Sequence, residues 1–270
     1  HSLPQPPPGD PGEARGQEAF SGADPGLPLG RIRPLSKTEV GRGDQRVVHC
    51  PGDGTVCVSP LPSGTAAGQD ATFRFSAVFD MGISQEGVFE GSGMRQLVEL
   101  AVSGFACTAF AFGQTGSGKT YSLTGPGAQL EAPALPPNHL GLMQRSFAYL
   151  LEHIQGQRSS VTLSASYVEI YNEQVRDLLH PTSCRPLPLR WSKTRGFHLE
   201  NLLTLEFASL ETALALLQEG TRRRASSSHA LNEQSSRSHA LFTIYIEAVS
   251  SGFSVRQGGM ERGIPGQPQG

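Results

Sequence analysis

The stretch Thr108-Ala-Phe-Ala-Phe112 leads directly into Gly113-Gln-Thr-Gly-Ser-Gly-Lys-Thr120. The first five residues are apolar or β-prone and are followed by a glycine, which predicts a short buried strand. The next eight match the phosphate-loop pattern, in which a glycine and four further residues precede Gly-Lys-Thr. A strand, this loop and a helix that opens at Lys119 together predict a site for nucleotide phosphates.

The residue types in the loop suit phosphate chemistry. The three glycines (Gly113, Gly116 and Gly118) lack the Cβ atoms that would keep backbone N–H groups from closing around phosphate oxygens. Lys119 supplies a positive charge for the terminal phosphates, and the Thr120 hydroxyl can bind Mg²⁺. A flexible Gly/Ser turn that matches by chance is the alternative, but the helix-compatible residues after the loop favour a phosphate site.

The composition excludes several classes of protein. Charged residues make up 17% and hydrophobic residues 37% of the 270, because Gly (32) and Pro (20) are so frequent, which predicts one folded region with loose ends. The net charge of −2 gives no global basic field for nucleic acid or membrane. The four cysteines lack Cys-x-x-Cys spacing, so reduced thiols in a cytosolic protein are expected. No apolar run is long enough for a membrane span.

Pattern and composition divide the chain into three parts. Residues 1–30 are rich in Pro and Gly and are predicted to be disordered, residues 31–248 to fold, and residues 249–270 to form a disordered Gly-rich tail. Strands are predicted at 47–48, 55–58, 72–79, 161–167 and 242–248, and helices over 94–101, 143–154 and 210–217. Ser92 is predicted to cap the helix over 94–101, and Ser209 is predicted to cap the helix over 210–217. Gly220 is predicted to end that last helix, so Arg222–Arg224 would be a charge run at its C-terminal end.

Two polar groupings allow more than one interpretation. Glu169, Glu173 and Asp177 recur every four residues and would form a carboxylate metal site on a helix, but their neighbours are typical of a strand, which would scatter them. A predicted hairpin between 181 and 202 carries four cations, Arg185, Arg190, Lys193 and Arg195. They are either a solvated basic loop or a contact for an acidic partner.

There is a second polar stretch, Asn232-Glu-Gln-Ser-Ser-Arg-Ser-His239. Alone it would be interpreted as a solvated loop, but beside a phosphate loop it predicts a switch loop. Hydroxyls and backbone N–H groups are what a γ-phosphate and its Mg²⁺ need to hold such a loop. With both stretches present, the chain resembles the kinesin motor domain over roughly residues 31–248. The supporting matches are Arg31-Ile-Arg-Pro34, Val78-Phe-Asp80, Gly141-Leu-Met-x-Arg145, Glu169-Ile-Tyr-Asn-Glu173 and Asp177-Leu-Leu179.

The resemblance implies an α/β fold with a mixed central sheet flanked by helices, of the phosphate-loop NTPase type. It implies ATP and Mg²⁺ as ligands and microtubules as the partner, with no nucleic acid, in the cytoplasm and on the cytoskeleton. Carried over residue by residue, Gly113, Gln114, Thr115, Gly116, Ser117, Gly118 and Lys119 would bind the phosphates, Thr120 and Ser236 the Mg²⁺, and Arg31, Arg33, Pro34 and Tyr121 the adenine. Ser235 and Ser236 would sense the γ-phosphate and position water, and Arg237 would be the switch arginine.

The departures from the family pattern carry their own expectation. The family continues after the strand at 242–248 into Asp-Leu-Ala-Gly-Ser-Glu, its second switch, which this sequence does not contain. We therefore expect the amino-terminal part of a motor domain, truncated before a strand that would lie beside Phe112. On its own, this part is expected to show negligible ATPase activity and an aggregation-prone edge.

Three functions compete at this point. The first is an ATP-driven microtubule motor domain, and the second is a non-motor phosphate-loop NTPase, such as a GTPase or a small-molecule kinase. A GTPase needs Asn-Lys-x-Asp for guanine, and none of the three lysines follows an asparagine. The third is a non-catalytic fragment that binds nucleotide or tubulin. No pattern in the sequence indicates the cargo.

Overall fold

The computed structural model describes residues 28–59, 70–126, 136–155, 160–181, 185–194, 196–229 and 238–249. They fall into two compact units, one up to Leu97 together with Thr108–Ser146, the other Val98–Cys107 together with the residues from Phe147 onward. Most of the predicted leader, nearly all of the predicted tail, Arg195, and the predicted switch residues Ser235, Ser236 and Arg237 lie outside the described residues.

The first unit contains five short strands in two sheets among its described residues. They are β1 (Leu29–Arg31), β2 (Val48–Gly52), β3 (Thr55–Val58), β4 (Ala71–Arg74) and β5 (Ala77–Phe79). Strands β2, β3 and β4 form an antiparallel sheet, whereas β1 and β5 pair in parallel. The strands predicted near 47–48 and at 55–58 are confirmed.

The single strand predicted over 72–79 is wrong, because it is two strands in different sheets. The backbone changes partners between β4 and β5, where the Phe75 N–H donates to the Gly54 carbonyl and the Ser76 N–H to the Pro28 carbonyl. Phe79 is buried, but Phe73 is 52% exposed. A continuous period-two pattern therefore hides a change of sheet, since alternation along a chain carries no information about which strand lies beside it.

The helices up to Gln155 begin with α1 (Lys37–Gly41), α2 (Gln85–Gly91) and α3 (Met94–Val102). They continue with α4 (Lys119–Thr124), a 3-10 turn at Pro137–His139 and α5 (Leu142–Gln155). The helices predicted over 94–101 and 143–154 and the start at Lys119 are confirmed. Ser92 does not cap α3 from its N-terminal side. It is the C-cap of α2, a helix whose own N-cap, Ser84, accepts from the Gly87 N–H.

The second unit is built around one long strand, β6 (Ser160–Tyr171). The other strands are β7 (Gln174–Asp177), β8 (Leu189–Ser192), β9 (Gly196–Leu199), β10 (Leu205–Phe207) and β11 (His239–Val249). Strands β7, β10 and β11 all pair with β6 in the antiparallel sense, and β8 and β9 form the predicted hairpin. The core of this unit lies along β6, where Ala165 is 0% exposed.

Helix α6 (Leu210–His229) is capped by Ser209, as predicted, since the Thr212 N–H donates to its hydroxyl. The predicted stop at Gly220 is wrong, because the helix continues through it. A Cβ at Gly220 would lie 2.1 Å from the Tyr167 ring, so the glycine lets the helix pack closely on β6. Arg222–Arg224 therefore lie inside the helix and not at its end.

The buried strand predicted at Thr108–Phe112 is also wrong. These residues form no strand, and the side chains of Phe110 and Phe112 are 84% and 96% exposed. Within the described parts of the chain no strand pairs with them. An apolar segment without a neighbour cannot satisfy its backbone groups in a sheet, so it stays in contact with solvent. No helix of the described residues is long and apolar enough to span a membrane.

Candidate nucleotide site

The phosphate loop lies in the first unit and leads directly into α4. Gly116 and Gly118 have φ values of 82° and 94°, in the left-handed region that side chains with a Cβ rarely adopt. Gly118 is the last residue before α4. The glycines of the motif are therefore required by the path of the loop itself, which is what a loop that wraps an anion needs.

Lys119 and Thr120 have different surroundings. The Lys119 ammonium donates to the carbonyls of Gly113 and Gln114 at 2.5 and 2.8 Å, so its charge lies over the loop. An ammonium has three donors, which leaves one for a further acceptor. Thr120 is exposed, as the Mg²⁺ role implied by the resemblance requires, and a single hydroxyl suits Mg²⁺, which usually keeps several waters.

Arg31 and Tyr121, both predicted on the adenine side, are in contact. The Arg31 guanidinium lies 5.4 Å from the centre of the Tyr121 ring, within cation–π range. Gln85, which no motif in the sequence indicated, contacts both residues: it accepts from Arg31 Nη1 at 2.8 Å and donates to the Tyr121 carbonyl at 2.6 Å. The sequence did carry one signal for it: Gln85 is a polar residue on the same helix face as the apolar Val88 and Phe89.

Arg33 and Pro34 follow β1, and Arg33 runs beside the loop, since a Cβ at Gly118 would lie 3.8 Å from its own. Its guanidinium is held by Glu39 through two hydrogen bonds of 2.7 and 2.6 Å. Those bonds raise the pKa of Arg33 and lower the pKa of Glu39. Glu39 also accepts from the Ser36 N–H in a capping box of α1. Arg33 therefore stays charged and has the Glu39 carboxylate as its counter-ion.

The second unit holds Ser238, a described residue within the predicted switch stretch 232–239, which follows Arg237 directly. Ser238 is buried, and Arg224 Nη2 donates to both its hydroxyl and its carbonyl, each at 3.0 Å. Arg224 Nε also lies 3.5 Å from a carboxylate oxygen of Glu169, which is 1% exposed. Neither oxygen of Glu169 has a hydrogen-bond partner among the described residues. Arg224 therefore joins the residue before β11 to the buried Glu169 carboxylate of β6.

The carboxylates spaced by four lie on separate elements and not on one helix face, as the strand interpretation predicted. Glu169 lies in β6, Glu173 in the turn and Asp177 in β7. Asp177 instead accepts backbone N–H groups of Leu179, His180 and Leu203, which ties two loops together. Among the described residues there is no group of three or more His, Cys, Asp or Glu that could hold a metal.

The basic hairpin carries less free charge than its sequence indicates. Arg190 donates to the Glu200 carboxylate at 3.1 Å, so part of its charge is balanced. Lys193 is exposed at the turn. Trp191 and Phe197 form a cross-strand pair and are 64% and 75% exposed. The hairpin is therefore an exposed surface of mixed aromatic and basic character.

The glycine-rich loop that leads into α4, on an α/β fold, is typical of phosphate-loop NTPases. Comparison with known proteins identifies the family within this class. The model of the kinesin motor domain matches residues 31–261, so the chain belongs to the kinesin motor domain family. The predicted fold class is confirmed by a solved structure described as that of a fast kinesin, with implications for ATPase mechanism and interactions with microtubules. It has a TM-score of 0.71 and 32% identity, and the match covers 82% of this chain and 59% of that one.

Two relatives show how far the similarity extends. Kinesin-like protein KIF12 of Mus musculus is 51% identical over 245 residues, which are 91% of this chain and 37% of that protein. Within the family, the chain is thus similar to family member twelve. Kinesin heavy chain of Gibberella moniliformis is 33% identical over 220 residues, 81% of this chain and 22% of that protein. The chain thus spans about a third or less of the length of these relatives.

Proposed function

We propose that the chain binds ATP with Mg²⁺ and is the nucleotide-binding part of a motor domain. In the full-length protein, that domain couples ATP hydrolysis to movement along microtubules, in the cytoplasm and on the cytoskeleton. The observation that carries the proposal is one stretch, 113–121, in which an anion loop, a lysine, an exposed threonine and an aromatic ring follow one another. This order matches a nucleotide, whose phosphates and base are joined through a sugar.

The loop residues have distinct roles in this proposal. The backbone N–H groups of Gly113, Gln114, Thr115, Gly116, Ser117 and Gly118 surround the phosphates. Lys119 directs its remaining donor to a phosphate oxygen, and its contacts with the loop carbonyls hold the ammonium in place before the nucleotide arrives. Thr120 holds Mg²⁺, which neutralises charge on the phosphate oxygens when it is bound.

The base side is formed by Arg31, Tyr121 and the backbone around Arg33 and Pro34. Tyr121 is 45% exposed, which leaves an aromatic surface for a purine to contact. Ser235, Ser236 and Arg237 remain predictions from the resemblance, in which the two serines sense the γ-phosphate and Arg237 pairs with the second switch. The non-motor alternative has lost its support, because the family match spans the folded region.

Binding of a fluorescent ATP analogue to the full-length protein tests the nucleotide site. Lys119→Ala is expected to weaken binding at least about tenfold, since it removes a charge-assisted contact to phosphate. Lys193→Ala is the matched control, because it removes an exposed lysine in the second unit and is expected to leave affinity unchanged. Equal affinities for the wild type and Lys119→Ala would reject the assignment.

A further inference from the structure

Gln85 is 2% exposed, although its side chain ends in an amide that must be satisfied when it is buried. Both ends of this amide have partners: the carbonyl oxygen accepts from the Arg31 guanidinium, and the NH₂ group donates to the Tyr121 carbonyl. A guanidinium can only donate and a carbonyl can only accept. Glutamine offers one group of each kind, whereas glutamate lacks the donor and methionine lacks both.

The two partners of Gln85 are the two members of the cation–π pair. Arg31 ends β1, Gln85 begins α2 and Tyr121 lies in the first turn of α4, so the amide joins three elements that are distant in sequence. The residue before Tyr121 is the Thr120 of the phosphate loop. The position of the aromatic ring relative to the loop therefore depends on a side chain outside the motif.

Arg31 and Arg33, which are separated by Ile32, are both charged but have different partners. Arg33 is paired with the Glu39 carboxylate, whereas among the described residues Arg31 forms no ion pair with a carboxylate. Burial lowers the pKa of Arg31, with a smaller opposing effect from Tyr121, which reflects a guanidinium partly removed from water. A neutral amide satisfies this guanidinium without cancelling its charge, so the cation stays available to π electrons.

We propose that Gln85 is a positioning residue for the base side of the site: it holds Arg31 against the Tyr121 ring, so that the pair presents one fixed face to the adenine ring. The inference rests on the proposed function, because it assumes that a nucleotide binds at 113–121. The inference adds Gln85 to the nucleotide site, with a role in binding the base and none in binding the phosphates.

The test compares ATP with inorganic tripolyphosphate, which has phosphates but no base. Both are titrated with Mg²⁺ into the full-length protein by calorimetry, for the wild type and for Gln85→Met, which keeps the length of the side chain. Gln85→Met is expected to weaken ATP binding about tenfold, the effect of one hydrogen bond to a charged group, and to change tripolyphosphate binding less than about twofold.

Gln144→Met is the matched control for folding. Gln144 is 1% exposed and its amide also has both partners, since it accepts from the Gly141 N–H and donates to the Thr124 carbonyl at the end of α4. A general loss of packing would affect both variants alike. We expect Gln144→Met to leave the ratio of ATP to tripolyphosphate affinity at its wild-type value.

A double variant tests whether Gln85 acts through Arg31. If it does, Arg31→Ala weakens ATP binding, and adding Gln85→Met to it weakens binding no further. An unchanged ATP affinity in Gln85→Met, an equal loss for ATP and tripolyphosphate, or additive losses in the double variant would each overturn the inference. A wild-type protein that binds neither ligand would overturn the proposed function as well, which distinguishes the two failures.

Discussion

Thr108–Phe112 and β11 have the same kind of sequence but different structures. Both alternate or cluster apolar and aromatic residues, and both were predicted as strands. Strand β11 pairs with β6 at eleven positions, and the Phe242 ring lies 5.2 Å from the rings of Phe147 and Tyr167. Thr108–Phe112 has no paired strand among the described residues, and Phe112 is 96% exposed.

The difference shows that a strand is a property of two segments. The pattern in one segment indicates a tendency, but the neighbour supplies the partners for its N–H and C=O groups and the surface against which its side chains pack. The neighbour of β11 is β6, which this chain contains. The predictions that follow test whether the neighbour, and not the pattern, carries the stability.

The largest effect is expected from a proline in the paired strand. Ala165→Pro in β6 removes a ladder donor and inserts a ring where the site is 0% exposed, next to both β10 and β11. It should lower the free energy of unfolding of the 270-residue chain by at least about 4 kcal/mol, as measured by denaturant titration. Ala109→Pro, the control in the unpaired segment, should change it by less than about 0.5 kcal/mol. Equal losses would mean that 108–112 is paired after all.

Removing aromatic rings gives the next largest contrast. Phe147 is 3% exposed, and Phe147→Ala should cost about 3–4 kcal/mol of unfolding free energy through lost burial and a cavity. Phe112→Ala should leave the unfolding free energy, measured by the same denaturant titration, almost unchanged, because the ring already contacts solvent. A loss above about 1 kcal/mol in Phe112→Ala would contradict the exposed position of the segment.

The ion pair at the entry to β11 should contribute less. Arg224→Ala leaves the Glu169 carboxylate buried without its counter-ion and removes three hydrogen bonds to Ser238, which should cost about 2–3 kcal/mol. Adding Glu169→Gln removes the stranded charge and should recover part of the loss in thermal or chemical unfolding. A double variant that is less stable than Arg224→Ala would show that Glu169 has another partner.

The smallest effect belongs to exposed charges on α6. Hydrogen bonds from Arg222 and Arg223 lower the pKa of Glu219 from 4.5 to about 2. A lowered pKa means that the stabilisation is present above about pH 4.5 and is lost as the pH falls through about 2. Because Glu219 is 36% exposed, Glu219→Gln should cost less than about 1 kcal/mol at pH 7, and the difference should disappear in acid. A difference that persists below pH 2 would reject this origin.

The sequence predicted those elements whose partners lie within the same pattern. Helix α5 followed from its periodicity, and the turn of the phosphate loop followed from its glycines. Strand β11 matched its alternation because its neighbour β6 is present in this chain. The sequence did not predict that residues 72–79 form two strands in different sheets, or that Gly220 allows α6 to pack against Tyr167. Both features depend on which other segment of the chain lies opposite. Gln85 was missed for the same reason, since its partners are 54 and 36 residues away.

The central claim is that this chain supplies the ATP site of a microtubule motor. Steady-state ATP turnover by the full-length protein, with and without microtubules, tests it most directly when the wild type is compared with Lys119→Ala. We predict turnover that microtubules stimulate in the wild type, and a loss of at least about a hundredfold in Lys119→Ala, because the charge at the terminal phosphates is gone. Equal turnover in the two proteins, or a wild type that microtubules do not stimulate, would contradict it.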